Sequence, residues 1–189
     1  SETEVAHKAN GRCVPRLVKA TATASAVQRC DAMADGKALT EGANLVTGGL
    51  GGLGLVAAQQ LAELGATSLV LASRSGIVSP GFGLEGRVDA LKAFPKTEVH
   101  LRKCDVGSNK DVSALVSDVN KSVAKLSGVI HAAGVLEQCP LADLTAEKLA
   151  RTMRPKADGA WYLHDSTEPL GLSLFVLFSS VSSVVGLAG

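Results

Sequence analysis

A run of glycines between residues 47 and 54 is the first feature of the sequence that could do chemistry. It consists of Thr47, Gly48, Gly49, Leu50, Gly51, Gly52, Leu53 and Gly54, which fit both GxGxxG and TGxxxGxG. Glycine at these spacings permits a tight turn, close backbone approach to a pyrophosphate and close packing of a helix on a strand. Because an apolar run precedes it and an amphipathic pattern follows, we interpret it as a phosphate-binding turn rather than a bare turn.

The residues that follow the second apolar run indicate which dinucleotide would bind. Sites for NAD usually place an acid at the end of this strand, where it holds the ribose hydroxyls. Here the sequence has Ser73 and Arg74 and no acid. A guanidinium has the planar geometry that suits a 2′-phosphate, so NADPH is the favoured cofactor. The alternative is that Arg74 is a solvated surface arginine.

Two further strand ends are predicted to reach the same crevice. Asp105 and Val106 follow the third apolar run, where a carboxylate can accept from an adenine amino group, or can instead cap the next helix. The fourth run ends in small residues that leave room beneath a nicotinamide ribose. They are His131, Ala132, Ala133 and Gly134. We interpret the His131 imidazole as a structural hydrogen-bonding group rather than an acid or base.

The elements that must position these residues alternate along the chain. Short apolar runs at 44–47, 68–72, 98–104, 128–132 and 172–179 predict strands, and three- and four-residue apolar spacing at 53–64, 84–94, 109–123 and 146–164 predicts helices. Such wholly apolar strands are typical of a parallel sheet covered on both faces. The fold class is therefore α/β, a Rossmann-like doubly wound parallel sheet. Ser108 and Thr145 are predicted helix N-caps, and Gly65 a C-cap.

Composition narrows the class of protein. The 189 residues carry 19 Lys and Arg against 18 Asp and Glu, so the net charge of +1 favours neither nucleic acid nor an anionic membrane as a partner. The cysteines form no CxxC pair, which argues against zinc or another metal and favours reduced thiols in the cytoplasm. They are Cys13, Cys30, Cys104 and Cys139.

No apolar run is long enough to span a membrane. The chain begins with Ser and shows no signal peptide, so we expect a piece of a longer protein.

With these motifs in order, residues 5–189 resemble the ketoreductase domains of modular type I polyketide synthases, within the short-chain dehydrogenase/reductase superfamily. In this resemblance, residues 1–43 are the tail of a preceding structural subdomain and a linker, with 14–17 near its end. Residues 44–189 are a partial NADPH-binding catalytic subdomain. The segment 155–164 resembles the helix that carries the catalytic lysine, and 178–180 the segment that carries the catalytic serine.

The resemblance implies roles for two residues and the absence of a third. Ser180 would hydrogen-bond the substrate carbonyl, and Lys156 would support proton transfer from a tyrosine. The family's tyrosine would fall at position 193 and a supporting asparagine at 197, beyond residue 189, so we expect the 189-residue chain to be inactive alone. Tyr162 does not fit the role, because it follows Lys156, and we interpret it with Trp161 as a packing residue.

The family reduces a β-ketoacyl group on an acyl carrier protein with NADPH, and its members work beside other domains of a megasynthase. The sequences that mark product handedness are not intact here, since 136–138 reads Leu-Glu-Gln and position 185 is Val. Three alternatives stay open: a fatty acid synthase ketoreductase, a non-catalytic dinucleotide-binding scaffold, and an NAD-dependent epimerase or dehydratase. The absence of an acid beside Arg74 counts against the last.

Overall fold

A computed structural model describes residues 6–8, 11–13, 37–78, 80–81, 83–180 and 182–185. The first two strands, β1 (Ala6–Lys8) and β2 (Gly11–Cys13), pair antiparallel, and α1 (Lys37–Thr40) follows them. The sequence predicted neither strand. The segment 14–17, expected near the end of the preceding subdomain, lies outside the described residues, and the division of the chain at residue 43 stays a prediction.

The remaining strands form one parallel sheet. They are β3 (Ala43–Thr47), β4 (Ser68–Ser73), β5 (Glu98–Lys103), β6 (Leu126–His131) and β7 (Leu174–Leu177). Their spatial order is β5-β4-β3-β6-β7, so the chain begins in the centre, winds to one edge, returns and winds to the other. Reversal beside the first strand is the topology of a doubly wound Rossmann-like sheet. The predicted fold class is confirmed.

Helices cover both faces of this sheet. They are α2 (Gly52–Glu63), α3 (Glu85–Lys92), α4 (Asn109–Ser122), α5 (Ala146–Met153), α6 (Gly159–Thr167) and α7 (Ser182–Val185). Leu61 of α2 and Leu91 of α3 share one core cluster with Val46 of β3. Val112 of α4 and Leu163 of α6 share the other cluster with β-strand side chains of the opposite face. Within the described part of the chain, no helix is both long and apolar enough to cross a membrane.

The predicted caps are present. The Oγ of Ser108 accepts a hydrogen bond from the Asp111 N–H at 3.3 Å, and Thr145 Oγ1 accepts one from the Lys148 N–H at 3.3 Å. The C-cap of α2 is Leu64, and Gly65 follows it with a φ of +96°, a left-handed conformation that closes a helix and that glycine adopts without strain. These residues fix where three of the helices begin or end.

The single helix predicted over 146–164 is three segments in the structure. After α5, residues Arg154–Asp158 form a turn of π-helix, here called the lysine turn because it contains Lys156, and α6 follows. Pro155 has no N–H and cannot donate to the carbonyl four residues earlier, so the regular ladder is interrupted at this point. A π-turn holds more residues per turn than an α-helix, so the rotation of the side chains about the axis changes at this point.

The two aromatic residues of α6 differ in their packing. Tyr162 is half-buried and packs against the core cluster that contains Leu163, as predicted. Trp161 is 63% exposed and has its ring centroid 5.5 Å from that of His164, so the prediction that it is also a packing residue is wrong. Adjacent helical residues point about 100° apart, and only one of the two faces the sheet.

Candidate functional site

A cleft of about 700 Å³ opens at the carboxyl ends of the parallel strands, beside the point where the strand order reverses. This is the position at which open α/β sheets bind ligands. We call it the cofactor cleft. It is lined by Gly48, Leu50, Gly51, Ala72, Ser73, Arg74, Ser75, Ile77, Cys104, Asp105, Val106, Ala132, Ala133, Gly134, Val135 and Pro155.

The glycine run forms a turn that has no room for a side chain at three positions, Gly48, Gly49 and Gly54. Gly48 has a φ of +68°, and a Cβ there would lie 2.7 Å from the backbone N of Ala133. A Cβ on Gly54 would collide with the carbonyl oxygen of Gly48. The turn leads into α2, whose N-cap is Gly51 and which no side chain caps. The first N–H groups and the positive end of the helix dipole are therefore free to receive a phosphate, which fits the predicted cofactor.

Arg74 lies just after β4 and is exposed on the wall of the cofactor cleft. Within the described residues it forms no ion pair, so its guanidinium is free to bind an anion. It also lines a neighbouring hollow of about 360 Å³, to which Arg151 and Arg154 contribute. Ser73, the residue before Arg74, stabilises the turn after β4. Its Oγ accepts a hydrogen bond from the Gly76 N–H at 3.0 Å.

The end of β5 supplies a carboxylate and an apolar wall. One oxygen of Asp105 accepts a hydrogen bond from the Gly107 N–H at 3.0 Å, while Ser108 caps the next helix, so Asp105 itself does not. Val106 is buried against the cleft. Burial, assisted by the carboxylates of Asp111 and Asp105, raises the pKa of the Cys104 thiol to about 12, so this cysteine is not a nucleophile at neutral pH.

The end of β6 divides into an exposed part and a buried part. Ala132, Ala133 and Gly134 line the cofactor cleft, whereas His131 lies behind it and is 4% exposed. The Nδ1 atom of His131 lies 2.6 Å from the hydroxyl of Thr47. Burial lowers the pKa of His131, and the carbonyl groups of Pro155 and Lys156 oppose this by a smaller amount. The imidazole is therefore neutral at pH 7.

The two residues predicted to be catalytic are both exposed. The side chain of Lys156 crosses Gly134, at which a Cβ would lie 2.9 Å from the lysine Cε. The Oγ of Ser180 lies 2.7 Å from the Oγ of Ser182 and accepts from the Ser182 N–H at 3.2 Å. No hydrogen bond joins Lys156 to Ser180 in the part of the chain that the structure describes.

The structure brings ten of the predicted site residues to the cofactor cleft. Those that do not line it are Thr47, Gly49, Gly52, Leu53, Gly54, His131, Lys156 and Ser180. Sequence reasoning missed six lining residues: Ala72, Ser75, Ile77, Cys104, Val135 and Pro155. Five of them directly adjoin a predicted site residue in the sequence, which was the available signal. Ile77 had none.

The strand order, the glycine turn and the position of the cleft define a Rossmann-like dinucleotide-binding domain. Comparison with known proteins gives the family: the sequence model of the KR domain matches residues 42–189. The chain therefore belongs to the KR domain family, the ketoreductase domains of modular polyketide synthases. Members of its superfamily bind a nicotinamide dinucleotide.

Two curated relatives are polyketide synthases of Streptomyces halstedii. Polyketide synthase GfsB is 37% identical over 188 residues, which is 100% of this chain and 3% of the relative. Polyketide synthase GfsA is 42% identical over 151 residues, covering 79% of this chain and 2% of the relative. The chain thus spans only a few per cent of the length of these multidomain relatives.

Solved structures show the same likeness. A structure described as an A1-type ketoreductase is 37% identical, with a TM-score of 0.75, and the match covers 100% of this chain and 37% of that one. A structure of A-type ketoreductases from a modular polyketide synthase is 40% identical, with a TM-score of 0.68, covering 80% of this chain and 31% of the other.

Proposed function

We propose that this chain is part of an enzyme that uses NADPH to reduce a β-ketoacyl group, carried on an acyl carrier protein, to a β-hydroxyacyl group during polyketide biosynthesis. The observation that carries the proposal is the cofactor cleft, with an uncapped glycine-turn helix at one end and Arg74 on its wall. No acid occupies the end of β4, so the ribose there is better matched by a 2′-phosphate than by free hydroxyls.

When bound, NADPH would supply the hydride that reduces the β-carbon. In this arrangement the first turn of α2 holds the pyrophosphate and Arg74 pairs with the 2′-phosphate. Asp105 accepts from the adenine amino group, and the small residues after His131 leave room for the nicotinamide ribose. These assignments follow from the lining of the cleft and from the family pattern.

The chemistry of the carbonyl is assigned to Ser180 and Lys156. The substrate oxygen gains negative charge as the hydride arrives, and a hydroxyl donor with a nearby ammonium stabilises that charge. Ser180 is exposed beside the end of β7, and Lys156 lies over Gly134 on the wall of the cleft. The proton would come from a tyrosine at position 193, with an asparagine at 197 in support.

The partners and the location follow from the same proposal. The relatives are multidomain polyketide synthases, which supports other domains of a megasynthase as neighbours and an acyl carrier protein as the carrier of the substrate. Residues 1–43 would belong to a preceding structural subdomain. Cys104 and Cys139 are free thiols, which supports a reducing compartment such as the cytoplasm.

The test is an assay of the full-length protein that contains these residues. We expect it to consume NADPH with a short β-ketoacyl thioester, and Ser180→Ala to lower kcat by about 100-fold or more. Ser179→Ala is the matched control, since Ser179 is the exposed neighbour with no assigned role, and it should change kcat by less than about threefold. NADPH is followed by its absorbance.

Two other outcomes would change the assignment. A folded full-length protein that binds NADPH but does not oxidise it would favour a non-catalytic scaffold. Equal losses in Ser179→Ala and Ser180→Ala would remove Ser180 from the mechanism. A fatty acid synthase ketoreductase would show the same kinetics, but the relatives found are polyketide synthases, which favours the polyketide pathway.

A further inference from the structure

The neighbouring hollow of about 360 Å³ adjoins the cofactor cleft at the ends of β4 and β5. Four residues line both cavities: Arg74, Asp105, Val135 and Pro155. The other side of the hollow is formed by helix α5 and the first residue of the lysine turn, through Glu147, Ala150, Arg151 and Arg154. A ligand that extends from the cofactor cleft past Asp105 therefore meets α5.

The lining of the neighbouring hollow offers hydrogen-bond donors and acceptors together. Arg154 forms no ion pair in the part of the chain that the structure describes, whereas Arg151 is paired with Glu137 at 3.4 Å. Asp105 and Glu147 contribute carboxylates, which accept hydrogen bonds and repel anions. A phosphate carries only acceptors and negative charge, while a purine carries both donors and acceptors. The lining therefore suits a heteroaromatic base better than a second phosphate.

Small residues leave the room that a flat ring needs. A Cβ on Gly107 would lie 3.3 Å from the Cβ of Arg154 and 3.3 Å from Oδ1 of Asp105, so both side chains border the space that this glycine leaves. Ala150 is exposed on the wall that α5 contributes. A guanidinium is planar and stacks on aromatic rings, which makes Arg154 a suitable partner for the face of a base.

We propose that the neighbouring hollow receives the adenine base of the dinucleotide, with Ala150 on one side of it and the Arg154 guanidinium stacked on the ring. The inference rests on the proposed function in one respect, because it takes the adenine amino group to be bound by Asp105. Helix α5 then recognises a part of the cofactor that NADPH and NADH share, whereas Arg74 recognises the phosphate that distinguishes them.

The first experiment fills the hollow. In the full-length protein, Ala150→Leu adds a larger side chain to an exposed helix position, and leucine is a good helix former, so the fold should persist. We expect this variant to weaken NADPH and NADH binding alike, by about tenfold or more, because the base would be overpacked. Fluorescence titration with each dinucleotide measures this. Ala146→Leu is the matched control on the same helix, outside the lining, and should change either affinity by less than about twofold.

The second experiment removes the stacking partner. Arg154→Ala should weaken NADPH and NADH binding alike, by about 3- to 30-fold, the range for a cation on an aromatic face. Arg154→Lys keeps the charge but not the planar group, so we expect it to restore little of the affinity. The same titration measures both variants, and it does not depend on turnover of a substrate.

Three results would overturn the proposal. They are wild-type affinity for both dinucleotides in folded Ala150→Leu, a loss confined to NADPH in Ala150→Leu or Arg154→Ala, and wild-type affinity in Arg154→Lys. The second would put the 2′-phosphate in the hollow, and the third would mean that charge and not stacking is the contact. A wild-type protein that binds NADPH but does not reduce a β-ketoacyl thioester would instead overturn the proposed function and leave this inference standing.

Discussion

The guanidinium of Arg74 is exposed at the end of β4 and has no ion-pair partner among the described residues. Arg151 is a useful contrast, because its Nη1 lies 3.4 Å from a carboxylate oxygen of Glu137 and it lines only the neighbouring hollow. Both carry the same charge, so a comparison of the two separates a direct contact with phosphate from a general electrostatic attraction.

We expect Arg74→Ala to weaken NADPH binding by about 10- to 100-fold, the value of a charge-assisted hydrogen bond, and to leave NADH binding nearly unchanged. Arg151→Ala should have little effect on either cofactor. Fluorescence titration of the full-length protein with each dinucleotide measures this. Equal losses for NADPH and NADH in Arg74→Ala would contradict the assignment of a 2′-phosphate to this residue.

Some residues of the site were predictable because strand ends in a parallel sheet share one edge. Arg74 and Asp105 follow apolar runs, and both line the cleft. The contact of the His131 ring with the Thr47 hydroxyl was not predictable, because it joins the ends of two strands that are 84 residues apart in the sequence. Lys156 over Gly134 was likewise hidden, since the contact joins two segments by side-chain packing and not by a sequence pattern.

In the turn that connects β3 to α2, backbone atoms pack directly on backbone atoms. Gly54 is buried at the start of the helix, and a Cβ there would meet the Gly48 carbonyl and would lie 2.7 Å from the Gly49 Cα. Neither group is a flexible side chain that could move aside. Gly52, two residues earlier in the same helix, is exposed, and a Cβ there would meet nothing within 4 Å.

We therefore expect Gly54→Ala to lower the free energy of unfolding by about 1–3 kcal/mol through overpacking, and to weaken NADPH binding by distorting the turn. Gly52→Ala should leave stability unchanged or raise it by up to about 1 kcal/mol, since alanine is the better helix former. Urea denaturation of both variants gives the comparison. Similar losses at the two positions would mean that backbone packing is not the cause.

At the level of elements, strands and helices were predictable because period-2, period-3.6 and fully apolar patterns are local. The lysine turn was not, because a change from α- to π-helix alters the hydrogen-bond register without breaking the apolar spacing. Pro155 was visible in the sequence as a possible interruption, yet proline alone does not distinguish a kink, an end or a wider turn. In this structure the lysine turn lies against the loop after β6, where the Lys156 side chain crosses Gly134.

The whole molecule depends on a pairing between distant parts of the chain. The central strand β3 has β4 on one side and β6 on the other, and Thr47 is 84 residues from its partner His131. All of the side chains of β3 are buried. The strand therefore needs both β4 and β6 beside it, and β6 lies much further along the sequence. Such non-local pairings carry a high entropic cost before they become favourable.

We expect nascent chains stalled at increasing lengths to remain sensitive to protease until β6 has left the ribosome, and to become protected after that point. The Val129→Asp variant is the control, because a charge on a fully buried residue of β6 should prevent protection at every length. Protection that appears once β4 has emerged would show that the first half of the sheet folds alone.

The timing of synthesis then becomes part of how this domain reaches its native state. At about 5–20 residues per second, the ribosome needs several seconds to translate the interval between β3 and β6. During that interval an apolar strand has left the tunnel without its second neighbour, and unpaired strand edges are sites of aggregation. Translation speed and chaperone supply should therefore govern the yield of this domain more strongly than its final stability does.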